Sequence, residues 1–250
     1  MDLQLSGTRV LVTGGTRGIG RAIVESFLAE GADVAFCARS KEEVTATEAA
    51  LGEHAHGAVV DVGDGAGLIA WVGQVAEQLG GLDVVVSNVS ALAIEDTEAN
   101  WEASLNVDVM GTVRLVKAAL PHLEASDNGN VIAISSVSGR EVDFAAGPYG
   151  TAKAALIHYM SGLAFQLAGN GVRANTVSPG NTFFAGGVWD NIQQGMPEFF
   201  GEAMALNPTG RMGAPQDTAS AVVFLASPVS SRTSGAHLVV DGALTRGVQL

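Results

Sequence analysis

The sequence predicts an α/β fold, a doubly wound parallel sheet of seven strands with helices on both faces. Two observations support this class. Short apolar runs alternate with stretches of helical periodicity, and runs such as residues 84–86, Val-Val-Val, are apolar throughout, as in strands buried on both faces. No repeat, low-complexity segment or linker interrupts the alternation, so we predict a single domain over residues 1–250.

The elements follow one another in a regular order. Apolar runs predict strands at residues 9–13, 33–37, 57–61, 82–87, 130–135, 172–178 and 237–240. Helical periodicity predicts helices at residues 19–30, 41–51, 67–79, 98–124, 149–168 and 216–226. In such a sheet the ligand lies beyond the carboxyl ends of the strands, where the strand order switches.

The composition argues against several classes of partner. The net charge of −13, from 26 acidic and 13 basic residues, disfavours nucleic acid and anionic membranes. No apolar run approaches the roughly 20 residues of a membrane helix, and the first residues lack the basic stretch of a secretion signal. We therefore expect a cytoplasmic protein with no nucleic-acid or membrane partner.

The single cysteine and the paired histidines suggest no further chemistry. Cys37 is the only cysteine, so no disulfide within the chain is possible, and its place in a strand-like run predicts a packing role. His54 and His56 are expected in a surface loop before a strand, and no third ligand follows them at a useful spacing. We predict no metal site.

A glycine-rich turn follows the first predicted strand and opens the first predicted helix. Residues 13–20 read Thr-Gly-Gly-Thr-Arg-Gly-Ile-Gly, with Gly14, Gly18 and Gly20 in the spacing GxxxGxG. Glycines in this context let the backbone approach a pyrophosphate, and the helix N-terminus provides N–H groups and the positive end of the helix dipole. A turn without a ligand is the alternative. The strand before it and the helix after it favour the dinucleotide site.

Tyr149 and Lys153 lie four residues apart in a predicted helix and therefore share a face. An ammonium group beside a phenol favours the ionised phenol, which suits a group that exchanges protons at neutral pH. Ser136 follows a strand-like run, thirteen residues before Tyr149, and can offer a hydroxyl to the same substrate oxygen. An exposed helix face would also explain this spacing, but other motifs accompany it.

The motifs together resemble one family. The glycine-rich turn, a midway Asn106, Ser136, Tyr149-x-x-x-Lys153 and a following Pro-Gly pair resemble the classical short-chain dehydrogenases/reductases in order and spacing. The resemblance covers residues 7 to about 242. It implies a Rossmann-like fold and hydride transfer between a nicotinamide cofactor and a carbonyl or carbinol carbon.

The resemblance also implies catalytic roles. Tyr149 would donate the proton in the reductive direction, and Ser136 would hold the substrate oxygen. Lys153 would tune Tyr149 and bind the ribose hydroxyls of the cofactor. Asn106 would hold a water molecule that links Lys153 to solvent, and a kink in the long helix around it is plausible.

A set of cofactor contacts comes with the same resemblance. They are Gly14, Thr16, Arg17, Gly18, Ile19, Gly20, Arg39, Ser40, Asp61, Val62, Asn88, Val89, Tyr149, Lys153, Pro179, Gly180 and Thr182. Thr182 comes earlier than the usual threonine, whose position Phe184 holds. Ser90 stands where the family has a glycine. Because these segments follow successive strands, we expect them to converge on one crevice.

The end of the second predicted strand favours NADP(H) over NAD(H). An acidic residue there would accept a hydrogen bond from a ribose 2′-hydroxyl, whereas an arginine suits a 2′-phosphate. Here Ala38 occupies the acidic position and Arg39 follows it, with Arg17 as a second basic residue in the turn. Two surface arginines with no ligand would be the alternative, but basic residues are scarce in this chain.

The segment after the sixth predicted strand, at about residues 181–207, is the expected lid. It is rich in aromatic and other apolar residues, which suggests a bulky or flat apolar substrate, and its Gly186-Gly187 pair is a candidate hinge. Packing of a helix pair against the body or a neighbouring subunit explains these residues equally well. Acidic neighbours of Arg140 favour a free small molecule over a substrate carried on an acidic protein.

Three functions fit the chain. The first is an NADP(H)-dependent ketone reductase or secondary-alcohol dehydrogenase. The second is an NAD-dependent alcohol dehydrogenase that works oxidatively, and the third is a non-catalytic nucleotide-binding regulator, which the intact Ser, Tyr and Lys disfavour. The final strand resembles the one that joins family members into homotetramers or dimers, so we expect a homo-oligomer.

Overall fold

The computed structural model describes residues 2–247 and contains one sheet of seven parallel strands. The strands are β1 (Arg9–Thr13), β2 (Asp33–Ala38), β3 (Ala55–Val59), β4 (Val84–Ser87), β5 (Asn130–Ile134), β6 (Arg173–Pro179) and β7 (His237–Val240). Their order in the sheet is β3-β2-β1-β4-β5-β6-β7, so the order switches between β1 and β4. The predicted doubly wound, Rossmann-like α/β fold is confirmed.

Helices cover both faces of the sheet. Within residues 2–247 they are α1 (Gly18–Ala29), α2 (Lys41–Leu51), α3 (Gly65–Leu79), α4 (Glu98–Ser104), α5 (Gly111–Glu124), α6 (Pro148–Leu167), α7 (Val188–Gly195), α8 (Pro197–Ala205) and α9 (Pro215–Ala226). Helices α3, α5 and α6 pack on one face of the sheet, and α1, α2 and α9 pack on the other. None of the helices in this range is long and apolar enough to cross a membrane.

The third predicted strand began two residues too late. The structure places His56 inside β3, whereas we expected it in a loop, and His54 lies just before the strand with Nδ1 2.7 Å from Asp33 Oδ1. The shift arises because four of the five residues of this edge strand are partly or fully exposed, and its sequence gives a weak apolar signal.

The predicted helix at residues 98–124 divides into three parts. Between α4 and α5, residues Leu105–Met110 form a π-helical segment, which widens the helix by one residue in the turn. Buried residues continue along one side of the whole run, at Ser104, Asp108, Thr112 and Leu115. The π segment therefore helps to decide which polar side chain of this region points into the protein.

Cys37 has the packing role that its position predicts. It is fully buried in β2, between the sheet and the α3 and α5 layer, and burial raises the pKa of its thiol to about 12. A buried, protonated thiol is a poor nucleophile.

The chain beyond β7 folds back toward the loop that follows β5. Gly247 donates its backbone N–H to Glu141 Oε1 at 3.1 Å. Residues 248–250 of the tail lie outside the described residues.

Candidate active site

A cavity of about 810 Å³ lies at the carboxyl ends of the strands, across the switch between β1 and β4. Of the residues predicted to bind cofactor or substrate, all except Gly18 and Asn106 line it. These lining residues follow the carboxyl ends of successive strands or lie on α6. They are Gly14, Thr16, Arg17, Ile19 and Gly20 after β1, Arg39 and Ser40 after β2, Asp61 and Val62 after β3, Asn88 and Val89 after β4, Ser136 after β5, Tyr149 and Lys153 on α6, and Pro179, Gly180 and Thr182 at the end of β6 and after it.

The glycine-rich turn is packed too tightly for side chains. Gly14 has φ +75°, and a Cβ atom on Gly20 would lie 1.9 Å from the carbonyl oxygen of Gly14. Gly14 and Gly20 thus present backbone without a side chain to the cavity, and the N-terminus of α1 lies beside them. Such a cradle fits the pyrophosphate of a dinucleotide.

Asn88 holds this turn in place. Its Nδ2 atom donates to Thr13 O at 3.0 Å and to Gly14 O at 3.2 Å, and its backbone N–H donates to Thr13 Oγ1 at 2.9 Å. The family resemblance predicts a contact between Asn88 and the cofactor. The structure gives its amide a second task, because it ties the loop after β4 to the loop after β1.

The far end of the cavity, after β2, combines two arginines with a carboxylate. Among residues 2–247, neither Arg17 nor Arg39 has a side-chain hydrogen bond or ion pair, so both guanidinium groups can meet an anion. Ser40 caps α2 by accepting from Glu43 N at 3.3 Å, and Glu43 Oε2 accepts from Thr16 Oγ1 at 3.1 Å. The sequence interpretation missed Glu43, which lines the same cavity.

Tyr149 and Lys153 form the expected pair on α6. This helix begins at Pro148, so Tyr149 lies in its first turn, and Lys153 Nζ is 5.5 Å from the centroid of the Tyr149 ring. Lys153 is almost fully buried and donates from Nζ to Ile134 O at 3.1 Å. The ammonium group is therefore fixed at the end of β5, beneath the phenol.

The carboxylate of Asp108 is the third member of this group. Its Oδ1 lies 3.0 Å from Lys153 Nζ, and both side chains are buried. Oδ1 accepts no hydrogen bond, so its attraction to Nζ is that of a close ion pair. Oδ2 accepts the backbone N–H of Ala91 at 2.9 Å.

The predicted link between Asn106 and Lys153 is wrong. Asn106 is exposed, donates from Nδ2 to Gly63 O at 3.1 Å and accepts from Arg114 Nη1 at 2.8 Å. Residues two apart on a helix point to nearly opposite sides, so only one of Asn106 and Asp108 can face Lys153. The buried face that runs through Ser104 and Thr112 carries Asp108.

Ser136 begins a short chain of hydrogen bonds that extends along the cavity wall. Its Oγ donates to Ser138 Oγ at 3.2 Å, and Ser138 Oγ donates to Asp143 Oδ2 at 2.6 Å. Ala145 N donates to the other oxygen of Asp143 at 2.8 Å. The carboxylate orients the two hydroxyls, and the sequence interpretation had not included Ser138 and Asp143 in the site.

Aromatic rings close the substrate side. Phe144, from the loop after β5, packs edge-on against Trp189 and Phe199 of the lid, with ring centroids 5.8 Å and 5.5 Å apart. Phe184 and Trp189 line the cavity, whereas most other apolar lid residues pack in a small core of their own. The apolar residues of the lid therefore divide between the cavity wall and this small core.

Gly18 is the one glycine of the turn that the lid covers. A Cβ atom on Gly18 would lie 2.5 Å from the ring of Phe184, which rests against the turn. Thr182 Oγ1 donates to Gly180 O at 3.1 Å and lines the cavity beside this contact. The lid thus meets the glycine-rich turn through an aromatic side chain.

Comparisons with known proteins agree with this geometry. A family profile described as Enoyl-(Acyl carrier protein) reductase matches residues 14–245. An isoepoxydon dehydrogenase of Penicillium expansum is 41% identical over 98% of this chain and 97% of its own. An L-fucose dehydrogenase of Mus musculus is 38% identical over 96% of this chain and 89% of its own.

A solved structure gives the same result. The crystal structure of a short chain dehydrogenase from Burkholderia cenocepacia J2315 in complex with NADP has a TM-score of 0.86 and 31% sequence identity, and the match covers 96% of this chain and 99% of that one. The fold, the convergence of the motifs and these matches lead to one assignment. The chain belongs to the short-chain dehydrogenase/reductase family, and it is an oxidoreductase that acts on alcohol and carbonyl groups.

Proposed function

We propose that this protein is an NADP(H)-dependent ketone reductase or secondary-alcohol dehydrogenase with a small, bulky and largely apolar substrate. The observation that carries the proposal is that Ser136, Tyr149 and Lys153 line the same cavity as the glycine-rich turn. Acid–base groups and a dinucleotide cradle in one cavity suit the transfer of a hydride and a proton to the same C=O group.

The residues present fit a dinucleotide. The crowded glycine turn leaves bare backbone for a pyrophosphate, and Asp61 and Val62 line the wall after β3, where adenine would lie. Lys153 would meet the ribose next to the nicotinamide, and Thr182 and Gly180 would meet the nicotinamide amide. When bound, the nicotinamide supplies or accepts the hydride.

The chain itself would supply the proton and hold the substrate oxygen. In the reductive direction Tyr149 donates its phenolic proton to the oxygen of the substrate, and in the oxidative direction it takes that proton back. Ser136 would turn its single hydroxyl proton from Ser138 Oγ, its acceptor in this structure, to the same substrate oxygen and so stabilise the charge that develops there. Lys153, held by Ile134 O, keeps a positive charge within 5.5 Å of the Tyr149 ring and stabilises its ionised form.

The cofactor preference follows from the charges after β2. Arg39→Ala should weaken NADPH binding by roughly 10- to 100-fold, because a charge-assisted hydrogen bond to phosphate is lost, and should leave NADH binding nearly unchanged. Glu43→Gln should strengthen NADPH binding, because it removes a carboxylate from the same end of the cavity. Calorimetric titration of both variants with both cofactors measures these effects. Tighter binding of NADH than of NADPH to the unmodified protein would contradict the preference.

Glu43 is also the observation that favours the second candidate function. A carboxylate close to Thr16 can accept from a ribose hydroxyl and repel a phosphate, as expected of an NAD-dependent alcohol dehydrogenase. Two unpaired arginines against one carboxylate still favour NADP(H). Calorimetric titration of the Arg39→Ala and Glu43→Gln variants with both cofactors distinguishes the NADP(H)-dependent from the NAD-dependent enzyme.

The substrate class is inferred from the cavity wall. Phe144, Phe184, Val188 and Trp189 form an apolar side, and Ser138 and Asp143 lie near the reacting oxygen. Two of the relatives, isoepoxydon dehydrogenase and L-fucose dehydrogenase, are named for free small molecules, whereas two others are named 3-oxoacyl-[acyl-carrier-protein] reductase. The excess of acidic over basic residues, 26 against 13, supports the free small molecule, because an acidic carrier protein would be repelled. We further propose a homo-oligomer and a cytoplasmic location.

A panel of ketones tests the proposed function. Purified protein with NADPH should reduce cyclic and aromatic ketones, followed as a loss of absorbance at 340 nm, and should oxidise the matching alcohols with NADP⁺. Preferred turnover of acyl groups bound to a carrier protein would overturn the substrate class. Turnover with NADH alone would overturn the cofactor.

A further inference from the structure

We infer that Asp108 is a positioning residue that fixes Lys153 and partly offsets its charge, so that it sets the pH range in which Tyr149 exchanges its proton. The inference deepens the proposed function and rests on the proposed acid–base role of Tyr149. It is carried by the buried contact of 3.0 Å between Asp108 Oδ1 and Lys153 Nζ.

The carboxylate of Asp108 is held from several directions. Ala91 N–H donates to its Oδ2 at 2.9 Å, and Thr112 Oγ1 donates to its backbone oxygen at 2.7 Å. Ser87 Oγ lies 2.8 Å from Thr112 Oγ1 and connects this side of the helix to β4. Since Asp108 is only 1% exposed, the side chain has no route to solvent and stays beside Lys153.

The charges of the pair act on Tyr149 in opposite senses. A lysine alone would stabilise the ionised phenol, and a carboxylate would destabilise it. Burial keeps water from screening either charge, so the carboxylate offsets part of what the ammonium does. The resulting field on the phenol is weaker than the field of an unpaired lysine.

Among residues 2–247, the other charged groups on the elements around the pair can be named one by one. On α5, Arg114 donates to Asn106 Oδ1 at 2.8 Å, and Lys117 is exposed. On α6, Tyr149 and Lys153 face the cavity, and the segment Val137–Gly139 and strand β5 carry no ionisable side chain. Glu98 and Glu102 of α4 are exposed on the surface. Asp143 reaches the site only through Ser138, and Arg17, Arg39, Glu43 and Asp61 line the nucleotide end.

A structural role alone does not require a carboxylate here. An asparagine has the same shape, and its amide oxygen would accept the Ala91 N–H equally well. What the asparagine removes is one negative charge beside Lys153. A change in the titration of Tyr149 on replacement of Asp108 by asparagine would therefore report the loss of the charge, because the packing stays the same.

The tyrosine content of the chain allows a direct test without substrate. The chain has only two tyrosines, so Tyr159→Phe leaves Tyr149 as the single tyrosine, and its ionisation can be followed by absorbance at 295 nm. In this background Asp108→Asn should move the titration midpoint to lower pH by about half a unit or more. Glu102→Gln, which removes an exposed carboxylate from α4, is the matched control and should leave the midpoint in place.

The outcomes are distinct. A folded Asp108→Asn protein with an unchanged or raised midpoint overturns the inference. If Asp108→Asn does not fold, the same titration compares Lys153→Met with the double variant Lys153→Met/Asp108→Asn. Neither of these proteins contains a buried lysine that has lost its carboxylate partner. Removal of the carboxylate should again lower the midpoint, and an equal midpoint in the two proteins overturns the inference. Because the titration needs no turnover, it stands even if every tested ketone is inert.

Discussion

Tyr149→Phe is expected to lower kcat by about 10²- to 10⁴-fold and to leave the Kd for NADPH unchanged. The phenylalanine keeps the ring beside Lys153 and loses only the hydroxyl, which we propose as the proton donor. Steady-state turnover of a ketone from the panel and calorimetric titration with NADPH measure the two quantities on the same preparation.

Tyr159→Phe is the matched control. Tyr159 lies on the same helix, ten residues further on, packs against the core below the sheet and does not line the cavity. Its variant should retain full turnover. Equal activity of the Tyr149→Phe and Tyr159→Phe proteins would show that Tyr149 is not the acid–base residue, and equal loss of activity would point to damage to α6.

Gly20→Ala is expected to disrupt the cofactor cradle. The new methyl group would lie 1.9 Å from Gly14 O and 2.5 Å from Asn88 Nδ2, and a backbone carbonyl cannot give way without moving the turn. We expect a loss of about 2–3 kcal/mol in the free energy of unfolding, as for other overpacked sites. Affinity for NADPH should fall more than about tenfold, since the moved turn no longer fits a pyrophosphate.

Gly73→Ala is the matched control, because it adds the same methyl group at an exposed position where there is room for it. Gly73 is an exposed residue inside α3, and its added methyl group would meet nothing within 4 Å. This variant should gain about 0.5–1 kcal/mol because alanine restricts the unfolded chain. Denaturant unfolding and NADPH titration of both proteins check the pair. A Gly20→Ala protein as stable as Gly73→Ala would contradict the packing that we describe for the turn.

Much of the fold was predictable because its signals are local. Strand β1 is a buried apolar run that ends at a glycine-rich turn, and the predicted bounds of β1, α2 and β7 agree with the structure. The edge strand β3 was placed two residues late because most of its residues are partly exposed and its sequence carries little apolar signal. A helix pair in the lid was one of two interpretations, but the bounds of α7 and α8 were not predicted, since short helices joined by a proline resemble an irregular apolar segment.

The site was predictable wherever a motif fixes its place at the end of a strand. Ser136, Tyr149 and Lys153 line the cavity as the motif order implied. Asn106 does not line the cavity, and the periodicity of the helix could have shown this. Ser104, Asp108 and Thr112 repeat every four residues along the buried face, and Asn106 lies on the opposite one.

Other residues of the site carry no sequence signal. Glu43 and Asp143 are ordinary polar residues of a helix and a loop until the fold brings them to the cavity. Phe144 meets Trp189 and Phe199 only because the lid folds over the loop after β5. Contacts between segments that are far apart in sequence depend on the tertiary packing, which local patterns do not encode.

Direct transfer of the hydride is the central claim, and an isotope label tests it. The protein is incubated with a ketone that it reduces and with NADPH carrying deuterium at the transferable C4 position, and the alcohol is analysed by mass spectrometry. The account predicts one deuterium on the carbinol carbon of the product and none when the label is in the solvent instead. An unlabelled product, or a carbon-bound label taken from solvent, would contradict hydride transfer in this cavity.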